Sequence, residues 1–394
     1  MGDTARCGSR PMHSNPIQHH LAESAVALAR KASSGCSVMV YTTHVHAAGN
    51  RDVSAQTLVR QLSARAPPPL APVRPATSGS IFAPRCQAAL LSPNLAEPLR
   101  AANLADEAAF PWEVIPLQIT GQNSADARIA SKIAKMAPFI LFPRADAVVF
   151  VDFKLALKLP AKELVAHALA AQPGRGRVAP SFAAMHYPCV ADTPIPARGH
   201  LFAPTWCRSH SRGYDHGWSA RAWMIREARM IAADGKTRNA TRLQAAVEQY
   251  ARHVPNTSHL CKPSPVQLCL SCGAHPACAH VCVEPTAHFA CTDLDGGLLI
   301  WRNSLPARRL ACRWAMEFLY PKELSYPIDR DQPSMAFLLN QPNVMDGVHL
   351  LPPLPPACGA NASGAFCGWD HSPHRLSPRR DRYRQVAQHS NAHL

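Results

Sequence analysis

Apolar residues in the middle of the chain follow two patterns, one typical of strands and one typical of helices, which alternate along the sequence. Short runs rich in β-branched residues predict strands at residues 37–45, 112–119, 147–151, 178–187 and 297–302. Apolar positions three and four residues apart predict helices at residues 124–141, 160–172, 218–233, 238–253, 305–320 and 333–340. Strands that alternate with helices are typical of an α/β domain, and we expect a three-layer sandwich with a mainly parallel sheet.

Both ends of the chain have a different composition from the middle. Many of the 37 prolines lie in short clusters, and the last segment is also rich in His and Arg. We therefore predict a disordered N-terminus over residues 1–35, one domain over 36–345 and a disordered tail over 346–394. Within the domain, we expect irregular insertions at about 65–79 and 188–217 and a Cys/His-rich insertion at 261–291.

The predicted strand at residues 147–151 is followed directly by charged residues. A continuous apolar run is followed by Asp152, Phe153 and Lys154. The two-residue spacing places Asp152 and Lys154 on the same face of the strand. Ligands bind at the carboxyl ends of strands in open α/β sheets, where a carboxylate can hold a metal ion and an ammonium group can hold a phosphate. The alternative is a charged pair that only caps the strand.

A second polar motif precedes the last predicted helix. Arg330, Asp331 and Gln332 stand directly before an apolar segment. Asp331 can cap the helix N-terminus, or it can act as a general base or orient an acceptor beside the guanidinium of Arg330. On the preceding helix, Trp314 and Glu317 are three residues apart and share a face.

The cysteines leave three kinds of chemistry open. The chain has 14 of them, and Cys269, Cys272, Cys278 and Cys282 form two close pairs. Such pairs can hold a structural zinc ion, form disulfides in an oxidising compartment, or remain free thiols. The gap between the two pairs is too short for a ββα zinc finger.

Net charge and targeting signals limit the partners and the cellular locations that we expect. The net charge of +15 is strongly basic, but no dense Lys/Arg run lies within an aromatic-studded sheet pattern, so we expect no nucleic-acid partner. Neither a membrane-spanning segment nor a signal peptide is visible in the sequence. Membrane association would therefore require an N-terminal anchor that is missing from this chain. Sequons at Asn239, Asn256 and Asn361 are compatible with a secretory route.

Several short motifs together resemble one protein family. They are Val40-Tyr41-Thr42, Lys135-Met136-Ala137-Pro138, Asp152-Phe153-Lys154, Trp314-x-x-Glu317 and Arg330-Asp331-Gln332-x-Ser334. In this order they resemble the glycosyltransferase-like (hexosyltransferase-like, mucilage-related/turgor-regulation-defect) domain of plants, algae and bacteria. The last motif is the most specific, and the resemblance covers residues 37–341 with gaps.

This resemblance implies a fold similar to the type-A nucleotide-sugar glycosyltransferases and a Golgi or secretory location. The implied activity is transfer of a hexosyl or uronosyl unit from a nucleotide sugar to a glycan acceptor. The implied donor-binding residues are Asp152, Lys154, Lys135, Lys132 and Arg330, with Mn²⁺ or Mg²⁺ on Asp152. The implied catalytic residues are Asp331, Gln332 and Glu317.

Other functions remain open at this point. A divergent, inactive relative could serve as a carbohydrate- or protein-binding module. A zinc-binding interaction protein could be built around the cysteine pairs at residues 269–282, and a sphingolipid amidase is a minor alternative. A cytoplasmic location is the alternative to the secretory one, because the sequence shows no targeting segment.

Overall fold

The computed structural model of the chain describes residues 21–45, 62, 86–103, 112–117, 124–152, 155–157, 160–170, 179–186, 240–253, 294–319, 331–339, 344, 347–351 and 369–371. The helices in these residues are α1 (Glu23–Ala32), α2 (Pro93–Asn103), α3 (Ser124–Met136), α4 (Pro138–Leu141), α5 (Ala161–Ala168), α6 (Ala240–His253), α7 (Leu305–Leu319) and α8 (Asp331–Leu339). The strands are β1 (Val38–His44), β2 (Gln87–Leu91), β3 (Glu113–Pro116), β4 (Ala147–Val151), β5 (Leu155–Leu157), β6 (Phe182–His186), β7 (Leu294–Arg302), β8 (Val348–Leu351) and β9 (Trp369–His371).

Seven of these strands form one mixed sheet in the order β3-β2-β1-β4-β7-β6-β8. Six of them run in the same direction, and β7 is antiparallel to both of its neighbours. The remaining strands, β5 and β9, pair with each other in a separate antiparallel ribbon. The prediction of an α/β domain with a mainly parallel sheet is therefore confirmed.

Helices cover both faces of the large sheet, because successive strand residues point to opposite sides. On β1, Met39 and Tyr41 belong to one buried cluster and Val40 belongs to the other. The first face is covered by α1, α3, α4, α7 and α8, and the second face by α2 and α5. Every residue of β4 is buried, as expected for a strand that is covered on both sides.

Two predictions of disorder are corrected by this structure. Within residues 1–35, the segment Glu23–Ala32 forms α1, with Ala25, Val26 and Ala29 buried against the first face of the sheet. Glu23 in its first turn and Lys31 in its last turn both suit the helix dipole. The tail predicted over 346–394 also contributes, because Val348–Leu351 pairs with β6 as an edge strand of the sheet. Both segments are short and gain their stability from tertiary contacts rather than from local pattern.

Most of the other predicted elements have counterparts, and a few lie outside the described residues. The predicted helix at 124–141 is divided into α3 and α4, because Pro138 has no backbone N–H to continue the first helix. β2 and α2 were not predicted. The predicted helix at 218–233 and the insertions at 65–79, 188–217 and 261–291 lie outside the described residues.

None of the helices in the described residues is both long enough and apolar enough to cross a membrane.

Candidate functional site

A cavity of about 190 Å³ opens at the carboxyl edge of the sheet, where β1 and β4 end. Successive strands β1, β2 and β3 run toward one side of the sheet, and the chain then returns to place β4 on the other side of β1. Such a reversal leaves a crevice at the carboxyl ends of the two central strands, and in open α/β sheets this is where ligands bind. The described residues that line the cavity are Thr43, His44, Val45, Ser131, Lys132, Lys135, Phe150 and Asp152.

The register of β1 and β4 explains why polar side chains reach this cavity. Tyr41 is paired with Phe150, and both side chains lie in the cluster on the first face. Residues two positions further on, Thr43 and Asp152, continue on the same face by strand alternation. At that point the apolar core ends, and both residues line the cavity. Asp152 is half-buried, and its backbone N–H donates to the Gly297 carbonyl at 2.7 Å.

Helix α3 supplies the cationic wall of the cavity. Lys132 and Lys135 are three residues apart and therefore lie on one side of the helix. Ile133 and Ala134 beside them are buried in the first-face cluster and fix the rotation of the helix. Lys135 is in the last turn, where the helix dipole favours a positive charge.

Both lysines bind one carboxylate. Lys132 Nζ lies 2.6 Å from Asp331 Oδ1, and Lys135 Nζ donates to Asp331 Oδ2. The side chains of Asp331 and Lys135 are 3% and 7% exposed, whereas that of Lys132 is 24% exposed. Lys132 is therefore the member of this Lys132–Asp331–Lys135 triad that a ligand in the cavity can reach most easily.

The environment of Asp331 keeps it ionised. Burial by itself raises the pKa of this carboxyl, but the two ammonium groups outweigh that effect and hold the pKa of Asp331 well below its ordinary range. Asp331 is also the first residue of α8, where a negative charge is favoured by the helix dipole. The carboxylate is thus a permanent anion that binds the two lysines.

The start of β7 approaches this triad closely. A Cβ atom added at Gly296 would lie 3.0 Å from Lys135 Cε and would overlap Lys135 Nζ. The same atom would be 3.5 Å from Asp331 Oδ2. Only a glycine at this position leaves room for the buried ion pair in its present place.

Helix α7 fixes the position of α8 from behind. The buried Trp314 donates through Nε1 to the Asp331 carbonyl at 3.0 Å and to Ser334 Oγ at 3.1 Å. Ser334 Oγ in turn donates to the same Asp331 carbonyl at 2.9 Å. These bonds hold the first turn of α8 and, through it, the carboxylate that binds the lysines. Glu317, one turn further along α7, is also buried and is not among the described residues that line the cavity.

The structure brings together four of the residues predicted from the sequence. Asp152, Lys132 and Lys135 line the cavity, and Asp331 lies directly behind the two lysines. The backbone of Gln332 is part of α8, but its side chain is not among those described. The remaining predicted site residues, Lys154, Arg330, Cys269, Cys272, Cys278 and Cys282, lie outside the described residues.

Several contributors to the site were not predicted. Thr43 and His44 line the cavity because β1 ends beside β4. The reasoning applied to Asp152 could have found them, since the predicted strand at 37–45 also ends in polar residues. Ser131 and Gly296 gave no such signal, because their roles depend on contacts between distant segments.

The described cysteines are oxidised. Cys36 and Cys86 form a disulfide with their Cα atoms 5.5 Å apart, and Cys312 is also disulfide-bonded. The first bond joins Cys36, two residues before β1, to Cys86, directly before β2, at the amino edge of the sheet. These bonds are typical of proteins that fold in an oxidising compartment.

The described residues contain no group of three or more His, Cys, Asp or Glu side chains that could hold a metal ion by themselves. A protein cage is not required for Mg²⁺ or Mn²⁺, however. Mg²⁺ is commonly held by one or two carboxylates together with phosphate oxygens of the substrate. The half-buried carboxylate of Asp152, at the mouth of a cavity with a cationic wall, fits such a shared site.

No protein-family model matches the chain, and none of the curated proteins is significantly similar to it.

The charges of the site define what it can do chemically. Lys132 and Lys135 carry two positive charges, and Asp331 and Asp152 carry two negative ones. Asp331 is in direct contact with both lysines and offsets part of their charge, whereas Asp152 lies at the end of β4. A ligand that fits this arrangement carries an anionic group toward α3 and a cation or hydroxyl groups toward Asp152.

Proposed function

We propose that this cavity is the donor site of a glycosyltransferase that uses a nucleotide sugar and a glycan acceptor. The observation that carries the proposal is the position of Asp152 and the two lysines around one cavity, at the reversal of strand order. Nucleotides bind at such reversals in open α/β folds. The resemblance of the sequence motifs to a glycosyltransferase-like family, and to the type-A fold in particular, supports the same assignment.

In this proposal the ends of the donor diphosphate are recognised by different elements. Lys132, which is the more exposed lysine of the triad, binds a phosphate oxygen from the side of α3. Asp152 would hold Mn²⁺ or Mg²⁺, which would neutralise the charge that develops on the leaving diphosphate. Thr43 and His44 also line the cavity.

We assign Asp331 a positioning role in the donor site. The sequence suggested a general base or an acceptor-orienting carboxylate, but both oxygens of Asp331 bind lysines. The low pKa that the lysines impose also makes the carboxylate a poor proton acceptor near neutral pH. In this role it aligns the ammonium groups and reduces the excess positive charge of the wall, which weakens binding of a free polyanion relative to its metal complex.

The other predicted residues keep supporting roles in the proposal. Glu317 lies on the same helix as Trp314, whose indole holds the start of α8. Arg330 and Gln332 flank Asp331 in sequence, and Lys154 follows Asp152 by two positions. We propose that the side chains of Arg330, Gln332 and Lys154 contact the donor sugar, the diphosphate or the acceptor.

We further propose that the protein acts in the secretory pathway. The disulfide between Cys36 and Cys86 and the oxidised state of Cys312 support an oxidising compartment. For the cysteine pairs at residues 269–282, the same oxidising conditions favour disulfides over a zinc site. Metal analysis of the chain purified without reductant tests this, because bound zinc would contradict the disulfide assignment.

The central experiment measures thermal stabilisation by a panel of nucleotide sugars with Mn²⁺. A donor present at about 100 times its Kd stabilises the folded protein by about 2.7 kcal/mol, which raises Tm by several degrees. We expect this shift in the wild type and its loss in Asp152→Asn. The matched control is Asp146→Asn, which removes an exposed carboxylate at the opposite end of β4.

Two outcomes would count against the proposal. If no nucleotide sugar stabilises the wild type more than Asp152→Asn, the cavity is not a donor site. If a nucleotide sugar binds but is neither transferred to glycan acceptors nor slowly hydrolysed, the chain is better described as an inactive binding module of the same fold.

A further inference from the structure

Tyr41 makes a contact that the proposed reaction does not explain. Its side chain is completely buried in the middle of β1. Its hydroxyl faces two backbone carbonyls at the end of α3, those of Ala134 at 3.0 Å and Lys135 at 3.1 Å. Burial raises the pKa of Tyr41 well above its ordinary value, so the hydroxyl keeps its proton and remains a donor at neutral pH.

The sequence after α3 explains why a donor is needed there. In a continuing helix the Ala134 carbonyl would accept a hydrogen bond from the backbone N–H four residues later. That residue is Pro138, which has no N–H. A buried carbonyl without a partner is unfavourable, and the Tyr41 hydroxyl supplies the missing donor from the neighbouring strand.

A second set of contacts connects Tyr41 to the ammonium group of Lys135. The Tyr41 ring packs edge-on against Phe150, with ring centroids 5.3 Å apart. Lys135 Nζ lies 5.4 Å from the centroid of the same Phe150 ring. Lys135 is therefore held at its backbone by the Tyr41 hydroxyl and at its ammonium group by Phe150 and Asp331.

We propose that Tyr41 is a positioning residue that fixes the last turn of α3 and thereby the placement of Lys135. The consequence for ligand binding rests on the proposed donor site, because a displaced Lys135 would also release Asp331 and change the cationic wall. The placement of Lys135 itself does not depend on the identity of the ligand. Tyr41 thus links the core of the sheet to the charged lining of the cavity.

Trace acetylation of lysines with acetic anhydride, followed by mass spectrometry, tests this placement without any ligand. In the wild type, the Lys135 side chain is 7% exposed and should react slowly, whereas the exposed Lys162 on the other face of the sheet serves as the internal reference. In Tyr41→Phe we expect the rate at Lys135 relative to Lys162 to rise about fivefold, the factor that one ordinary hydrogen bond represents. An unchanged relative rate would overturn the proposal.

Two further variants separate this role from a general loss of stability. Leu99→Ala destabilises the core on the second face, far from α3 in the fold, and should leave the relative rate at Lys135 unchanged. Pro138→Ala restores a backbone N–H in place of the missing donor. In the Tyr41→Phe background it should return part of the protection of Lys135. An equal loss of protection with and without this second substitution would contradict the hydrogen-bond explanation.

Calorimetric titration with inorganic pyrophosphate and Mn²⁺ extends the test to the ligand. We expect Tyr41→Phe to weaken binding about fivefold in the wild-type background and to have no further effect in Lys135→Met, because the effect passes through that lysine. An equal loss in both backgrounds would contradict the proposed route. If the wild type binds no pyrophosphate, the donor-site proposal fails, and the acetylation rates still decide the role of Tyr41.

Discussion

The two edges of the large sheet both carry polar side chains, but these side chains have different partners. At the amino edge, Arg302 donates through its guanidinium to the carbonyls of Leu169 at 2.8 Å and Pro180 at 3.3 Å. Asn303 donates to two further carbonyls at 3.0 and 2.8 Å and accepts a bond from Arg308 Nε at 2.7 Å. Most of these bonds join side chains to backbone in the connecting loops.

At the carboxyl edge the polar side chains bind one another and surround a cavity. Lys132 and Lys135 share the carboxylate of Asp331. The lysines also line the cavity together with Asp152. Side chains that satisfy loop carbonyls stabilise the fold, whereas charged side chains gathered beside a cavity are available for a ligand.

This comparison leads to a general expectation. Substitutions at the amino edge should change the free energy of unfolding and leave ligand binding unchanged. Substitutions at the carboxyl edge should change both the free energy of unfolding and the ligand affinity. The more buried the side chain is, the larger its effect on unfolding should be relative to its effect on affinity.

Asp331→Asn should destabilise the protein most, by about 3–5 kcal/mol, because it leaves a buried ammonium group without its counter-charge. Lys132 can turn toward solvent, but Lys135 is buried and cannot. Urea unfolding at neutral pH measures the change. The control is Lys135→Met combined with Asp331→Leu, which replaces the buried pair by apolar groups and should be much less destabilising. A loss of less than 1 kcal/mol in Asp331→Asn would contradict a buried ion pair here.

The same carboxylate gives a specific pH dependence. Because the pKa of Asp331 is lowered from its ordinary value of 3.8, the folded state is stabilised by the ionised form. That contribution is fully present above about pH 5 and is lost progressively as the pH falls toward the pKa of the folded state. The stability difference between the wild type and Asp331→Asn should therefore be constant near neutral pH and shrink below about pH 4. A difference that grows in acid would have the wrong sign.

Replacement of both Cys36 and Cys86 by Ala should have the next largest effect, about 2–4 kcal/mol. The disulfide closes a loop with a sequence separation of 50 residues at the amino edge, so its loss mainly increases the entropy of the unfolded chain. Urea unfolding under non-reducing conditions measures this effect. Pyrophosphate affinity of the folded variant should equal that of the wild type. A large loss of affinity would mean that the two edges are coupled.

The strands and helices near the site could be predicted from the sequence because their patterns are local. β4 is a continuous apolar run, and the structure places it at Ala147–Val151 as expected. The start of β7 was predicted too late, since Gly296 and Gly297 have low strand propensity. Gly296 is needed there because the buried Lys135 lies against the strand at that position.

The contacts that define the site could not be predicted from spacing. Lys135 and Asp331 are separated by 196 residues, and Tyr41 and Ala134 by 93. The sequence shows where charged residues interrupt apolar segments. Only the folded structure shows which of these distant residues contact one another. The amino-terminal helix was missed for a related reason, because its stability comes from the sheet on which Ala25 and Ala29 pack.

Two glycines offer a direct comparison of the edges. At Gly296, a methyl group would push against Lys135 at the carboxyl edge, and at Gly347 it would lie 2.9 Å from Ser181 Oγ at the amino edge. We expect each Gly→Ala change to destabilise the protein by about 1–3 kcal/mol through overpacking. Only Gly296→Ala should also weaken pyrophosphate binding, because only there must a lysine of the triad move. Equal affinities in the two variants would contradict a functional carboxyl edge.

Lys132→Gln should have the smallest effect on stability and a large effect on the ligand. Its side chain is 24% exposed, and Asp331 keeps Lys135 as a partner, so the loss in unfolding free energy should be about 1 kcal/mol or less. Pyrophosphate affinity should fall about tenfold, because a charge-assisted bond contributes about 1.5 kcal/mol or more. Asn303→Ala is the opposite case, since it removes bonds to two loop carbonyls and should lower stability without changing affinity. If the two variants shifted affinity equally, position at the carboxyl edge would not be what makes a polar residue functional, and the assignment of the cavity would lose its physical basis.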